Sequence, residues 1–165
     1  KRTIMIQRIQ SLLLLLAAIV AIVLIFIPVG HIVDIATSQV LYEYDAFAVK
    51  SVVGEEVGVY STAYIAILWA VSAILSLVTI FMYKNRLRQV SINGINMLVI
   101  LAAMAMMLWV YPNLLFPKQQ LVTERAIVDF NKWILLSIIP AVSLFFANRA
   151  IKKDERMVRA ADRLR

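Results

Sequence analysis

The side chains able to do chemistry are few in this sequence of 165 residues, and they are widely scattered. Its one histidine, His31, lies three residues before Asp34, and Glu55 adjoins Glu56. A structural zinc ion needs about four nitrogen, sulfur or carboxylate ligands, and calcium takes about six to eight oxygens. Neither pair reaches that number, so His31 with Asp34 reads as interfacial polarity and the two glutamates as loop charge. Cysteine is absent. That excludes thiolate nucleophiles, disulfides and cysteine-held zinc or iron–sulfur centres. No His-x-x-x-His, Gly-x-Ser-x-Gly or Gly-rich phosphate loop occurs. The expectation is a non-catalytic chain with no cofactor and no metal.

Two other sets of polar residues are better organised. Gln7 and Ser11 are four apart, as are Gln89 and Asn93, with Gln10 and Asn96 close by and Asn148 far along the chain. Four-residue spacing places side chains on one helix face. Gln7, Ser11, Asn93, Asn96 and Asn148 are therefore expected to bond between helices, at roughly 0.6 kcal/mol each in a membrane, rather than to line a substrate pocket. The second set is basic: Arg8, then Lys84, Arg86 and Arg88, then Arg149, Lys152, Lys153, Arg156, Arg159 and Arg163. These are candidate contacts for anionic lipid head groups, at about 1 kcal/mol each near a surface, or for a protein partner.

The elements that position these residues follow from where charge is missing. Charges are absent from Ile9 to Val33, Val57 to Tyr83, Gln89 to Pro117 and Trp133 to Asn148, in a chain 62% hydrophobic. A spanning helix needs about 20 apolar residues to cross roughly 30 Å of hydrocarbon. The first three stretches exceed that. The fourth covers about 24 Å at 1.5 Å per residue, and spans if Lys132 and Arg149 snorkel to the two head-group layers. The apolar run from Leu12 to Ile27 outlasts a signal-peptide core, and Pro28-Val29-Gly30 is no cleavage site, so the first stretch reads as an anchor.

Thirteen of the 17 lysines and arginines lie before the first stretch, between the second and third, or after the fourth. Only Lys50, Lys118, Arg125 and Lys132 fall in the other connections. By the positive-inside rule both termini face the cytoplasm. The net charge of +7 thus marks one side of a membrane, and nucleic acid is not expected as a partner. Tyr60, Tyr64, Trp109, Tyr111 and Trp133 fall at the predicted outer ends, and Tyr83 at an inner one, as interfacial anchors do.

The fold expected is an all-α four-helix transmembrane bundle with both termini inside, forming one integral membrane domain over 1–165. Its spans run over about 9–29, 61–83, 91–111 and 131–150. Outer loops cover 30–60 and 112–130, and a cytoplasmic helical tail covers 151–165. Gln39 to Val49 alternates and is rich in β-formers, predicting one or two short strands in the first outer loop, with Gly54 and Gly58 as turn punctuation. A further strand around Gln120 to Arg125, or a cap on the fourth helix, is the choice for the second outer loop. Ala66 with Ala70, Ser72 with Ser76, and Gly94 are candidates for close helix approach. Met97, Met104, Met106 and Met107 suit adaptable packing, and Pro140 is expected to bend the fourth helix. Ile151, Val158, Ala161 and Leu164 give the tail a thin apolar stripe, fit either for docking or for a solvated extension. No ionisable residue sits near mid-span, which argues against a pump or coupled transporter.

Three runs carry a resemblance. Met5-Ile-Gln-Arg-Ile-Gln-Ser opens the chain, Tyr83-Lys-Asn-Arg marks the middle turn, and Asn148-Arg-Ala-Ile-Lys-Lys-Asp-Glu-Arg-Met-Val-Arg-Ala-Ala-Asp-Arg-Leu-Arg closes it. Together these resemble a family of small four-span inner-membrane proteins from Bacteroidota, catalogued as domain of unknown function forty-two ninety-three. The resemblance implies a bacterial inner membrane and supplies no activity. It also implies a start at Met5, with Lys1 to Ile4 either an upstream extension or a remnant of expression. An accessory or scaffold subunit of an envelope complex is the expected role; a lipid-handling or small-solute protein using a cleft between helices is the alternative.

Overall fold

A computed structural model of the chain describes residues 2–52, 60–83 and 85–163, with side chains at 2–8, 159 and 161–163 outside the description. The expectations for Gly54, Glu55, Glu56, Gly58 and Lys84, and for the side chains of Gln7, Arg8, Arg159, Ala161 and Arg163, lie outside the described residues, as does Leu164.

Four long helical segments dominate. The first, α1 (Arg2–Phe26), ends just before Pro28, as the residue ahead of a proline is pushed out of helical geometry. Next come α2 (Ala63–Phe81) and α3 (Arg86–Ala105), the latter capped by the Asn85 side chain accepting from the Arg88 N–H at 3.3 Å. α3 does not stop near Tyr111 as expected. It runs on through a π-helical segment (Met106–Leu115) into the short α4 (Phe116–Lys118), so the connection to the last helix begins only after Lys118. The last helix begins as a 3₁₀ segment (Lys132–Ser137) and becomes α5 (Ile138–Arg163).

Three prolines lie inside these segments, Pro117 in the first turn of α4 and Pro112 and Pro140 elsewhere. Pro140 is the third residue of α5, directly after the 3₁₀ segment. The helix changes from 3₁₀ to α geometry just before it. Pro112 lies inside the π-helical segment, where N–H groups reach back five residues. It has no N–H to offer the carbonyl of Met107, and that carbonyl is satisfied from elsewhere. Tyr44 donates its hydroxyl to it at 3.1 Å.

Tyr44 belongs to a five-stranded antiparallel sheet, larger than the one or two strands foreseen. Its strands are β1 (Gly30–Asp34), β2 (Val40–Tyr44), β3 (Ala48–Ser51), β4 (Tyr60–Ser61) and β5 (Ala126–Phe130), in the order β4-β3-β2-β1-β5. β5 comes from the connection before the last helix, a few residues beyond the predicted Gln120–Arg125, and pairs with β1 along its whole length. Gly30 is required there, because a Cβ at that position would run into the Asp129 carbonyl. One face of the sheet presents buried Ile32, Tyr44 and Val49 to the core. On the other, His31 opposes Glu43 and Asp129, and Glu43 opposes Lys50. Asp34 is engaged in the β1–β2 turn, where its Oδ1 accepts from the N–H groups of Ala36 and Thr37.

The sheet is fixed to one end of the bundle by aromatic packing. Tyr44 meets Phe116 edge-on at 4.9 Å between ring centroids, and Tyr60 and Tyr111 complete the cluster. Tyr111 is 1% exposed, so it is a core residue rather than an interfacial anchor; Tyr64, Trp109 and Trp133 do remain exposed. At α2, the Thr62 hydroxyl donates to the Asp45 carbonyl at 2.7 Å and the Thr62 N–H to that of Phe47.

The helices close a four-sided bundle, α1 packing on α2 and α5, and α3 on the same two. Residues such as Leu12, Ile19, Phe26, Ile74, Leu98 and Phe146 face outward and are exposed. At most 39% of any of the four apolar helical stretches is buried within the protein. A surface so apolar around the whole bundle calls for hydrocarbon as its solvent.

Candidate functional site

The interior of the bundle is divided along its length. On α2 the inward positions are Ile65, Trp69, Ser72, Ser76 and Thr79; on α3 they are Gln89, Asn93, Asn96, Ile100, Ala103 and Met107. Both rows step by alternating threes and fours, the spacing of a helix-packing seam. Towards the sheet the seam is apolar. Towards the other end it is polar.

Three amides bridge helices in the polar half. Asn96 Nδ2 donates to Ser76 Oγ at 2.8 Å, linking α3 to α2. Asn93 Nδ2 donates to the Leu144 carbonyl at 3.0 Å, linking α3 to α5, and Gln89 Nε2 donates to the Thr79 carbonyl at 3.0 Å. These bonds satisfy only half of each asparagine. Asn93 Oδ1 and Asn96 Oδ1, with Ser72 Oγ, Trp69 Nε1, Gln10 Nε2 and Asn148 Oδ1, are buried and have no hydrogen-bond partner. Left dry, each such atom costs about 1–3 kcal/mol, against a whole-protein stability of about 5–15 kcal/mol. Of the expected polar set, Asn93, Asn96 and Asn148 line this interior, and Ser11 is half-buried on α1. Ser72 and Ser76, read from sequence as close-packing residues, are both fully buried in the seam, and Ser76 also accepts from Asn96. Gly94 has nothing within 4 Å of a would-be Cβ and mediates no close approach. Trp69 and Thr79 were missed. Their shared spacing with Ser72 and Ser76 was the available signal.

The basic residues occupy the end of the bundle remote from the sheet. Arg149, Lys152, Lys153 and Arg156 are exposed on α5 and line an open groove of about 790 Å³ with Phe145, Asn148 and Met157. Lys152 and Arg156 also border a second groove of about 410 Å³, shared with Leu87, Val90 and Glu155. Arg88 is exposed at the start of α3. Arg86 is not part of this open surface. Its Nη2 lies 3.1 Å from Asp154 Oδ2, and its Nη1 donates to the Asp154 carbonyl at 3.5 Å. Asp154 is 1% exposed and continues the buried stripe of Leu144, Ala147 and Ile151 down α5. The stripe expected through Val158 is therefore set differently, and Val158 is exposed. Asp154 was not foreseen as a site residue, although its spacing from Ile151 continues the helical repeat.

Among the described residues no group of three or more His, Cys, Asp or Glu could hold a metal ion. The four helices long and apolar enough to cross a membrane, packed under a small sheet, define the class: a multi-pass, four-helix membrane protein. The family model described as Domain of unknown function (DUF4293) matches residues 6–164, and the chain belongs to that family. No curated protein and no solved structure matches it.

Proposed function

We propose that this protein is a non-catalytic accessory or scaffold subunit of a complex in a bacterial inner membrane. Its basic end lies in the cytoplasm with both termini, where it meets anionic lipid head groups and a partner protein. The observation that supports this reading is the groove on α5, where Arg149, Lys152, Lys153 and Arg156 stand beside apolar Phe145 and Met157. Cations flanked by apolar side chains suit a phosphate-bearing head group at the boundary of the hydrocarbon. The Arg86–Asp154 pair holds that part of α5 against α3.

Extraction in mild detergent, affinity capture and mass spectrometry is expected to recover a reproducible membrane partner. Reversing Arg149, Lys152, Lys153 and Arg156 to Glu should lose it. Recovery of a monomer alone from the unaltered protein would sink the scaffold reading. A second reading, a lipid-handling or small-solute protein using a cleft between helices, is favoured by Asn148, which lies on the groove wall with a buried, unpartnered Oδ1. Native mass spectrometry would then find a retained lipid or solute, lost on Asn93→Leu with Asn96→Leu.

A further inference from the structure

We infer that the two grooves beside α5 form one seat for a single two-chain anionic phospholipid, its phosphate held by Lys152 and Arg156 and one acyl chain lying in each groove. The inference deepens the proposed contact with anionic head groups and rests on that reading for the lipid.

Lys152 and Arg156 are common to both grooves. Four residues apart, they stand one turn above the other on one helix face, and both are exposed. They make a ridge with a different wall on either side. Phe145, Arg149 and Lys153 fall on the larger groove, of about 790 Å³. Leu87, Val90 and Glu155 fall on the smaller, of about 410 Å³, where α3 packs against α5. A phosphate on the ridge therefore has a groove on each side of it. That is the shape of a glycerophospholipid, whose two chains diverge from one head group.

Charge selects the head group. No ion pair among the described residues involves Arg149, Lys152, Lys153 or Arg156. Arg149 with Lys153, and Lys152 with Arg156, repel at four-residue spacing. The neighbouring Asp154 carboxylate is buried and engaged by Arg86, and Glu155 lies on the smaller groove. An anion on the ridge relieves the repulsion, whereas a choline head group brings a further cation.

Apolar surface lies where the chains would run. Phe145 is exposed and seven residues before Lys152, about 10 Å along the helix towards the apolar part of the span. Val90 is half-buried and four residues into α3 from Arg86, in the same direction. Both belong to helical stretches apolar enough to cross a membrane. A soluble phosphate would use the cations and leave both apolar walls in water.

Native mass spectrometry of the full chain in mild detergent tests the seat, with dioleoyl phosphatidylglycerol, its lyso form and the two matching phosphatidylcholines as probes. One copy of phosphatidylglycerol is expected to stay bound, about tenfold more strongly than phosphatidylcholine. Its advantage over the lyso form should exceed the advantage within the phosphatidylcholine pair, which reads micelle partitioning alone. Lys152→Gln with Arg156→Gln should abolish the anionic preference. Leu87→Gln with Val90→Gln should keep that preference and remove the gain from the second chain. Helical content and elution volume check folding, and the lipid comparisons on the unaltered protein need no variant. An anionic preference with no extra gain from the second chain overturns the seat and leaves the general head-group contact standing. No anionic preference at all overturns both, and leaves an acidic protein partner as the occupant.

Discussion

At the scale of single residues, Tyr44 illustrates how one side chain repairs what another removes. Pro112 deprives the Met107 carbonyl of its π-helical donor, and the Tyr44 hydroxyl replaces it. Burial, and to a lesser degree the neighbouring Tyr111, pushes the Tyr44 phenol well above its usual 10.0. The folded protein therefore keeps this proton at a pH where the unfolded chain releases it. The stabilisation is complete below pH 10 and is lost as pH rises beyond it. Thermal unfolding followed between pH 8 and 11 should show stability falling above about pH 10, with a shallower fall in Tyr44→Phe. At neutral pH the same substitution should cost about 1 kcal/mol through the lost hydrogen bond. An unchanged melting temperature would mean that the sheet does not depend on this contact.

At the scale of elements, the last helix has two parts with different solvents. Its first turns are apolar outside and bury Ser143 beside Leu144 and Ala147, and its later turns are basic outside. The Arg86–Asp154 pair joins the later turns to the start of α3. Removing one partner of a buried pair leaves the other uncompensated. Asp154→Ala is expected to cost about 1.5–3 kcal/mol, as for hydrogen bonds to charged groups, and to free the end of α5. Hydrogen exchange should then speed up after about residue 151 and remain slow around Leu144. Uniform loss of protection along α5 would contradict a local clasp. The sequence made α5 itself legible through its length and helix formers. The clasp was hidden because Asp154 stands among Lys152, Lys153, Glu155 and Arg156, and composition cannot say which of these charges turns inward.

At the scale of the whole molecule, the two ends differ in kind. One carries a five-stranded sheet over an aromatic cluster, the other exposed lysines and arginines. That polarity is what an orientation rule reads, since basic residues stay on the cytoplasmic side during insertion. A reporter active only in the cytoplasm, fused after the last residue, should be active; one fused into the β1–β2 turn should be silent. The reverse pattern would place the sheet inside and remove the basis for a cytoplasmic lipid contact.

The number of spans, their approximate limits, the uncharged mid-spans and the segregation of basic residues were determined by sequence alone. Hydropathy and charge act as local sums along the chain, and the membrane selects on those sums. Pairings between distant residues belong to the tertiary structure. β5 completes a sheet begun at β1, Asn93 reaches Leu144, Tyr44 reaches Met107, and Arg86 holds Asp154. Each joins segments 51 residues or more apart. Which partners meet depends on how four helices and five strands close around one another, and no local property of either residue carries that information. The same closure decides that the amides legible as glue leave Asn93 Oδ1 and Asn96 Oδ1 buried without a hydrogen-bond partner.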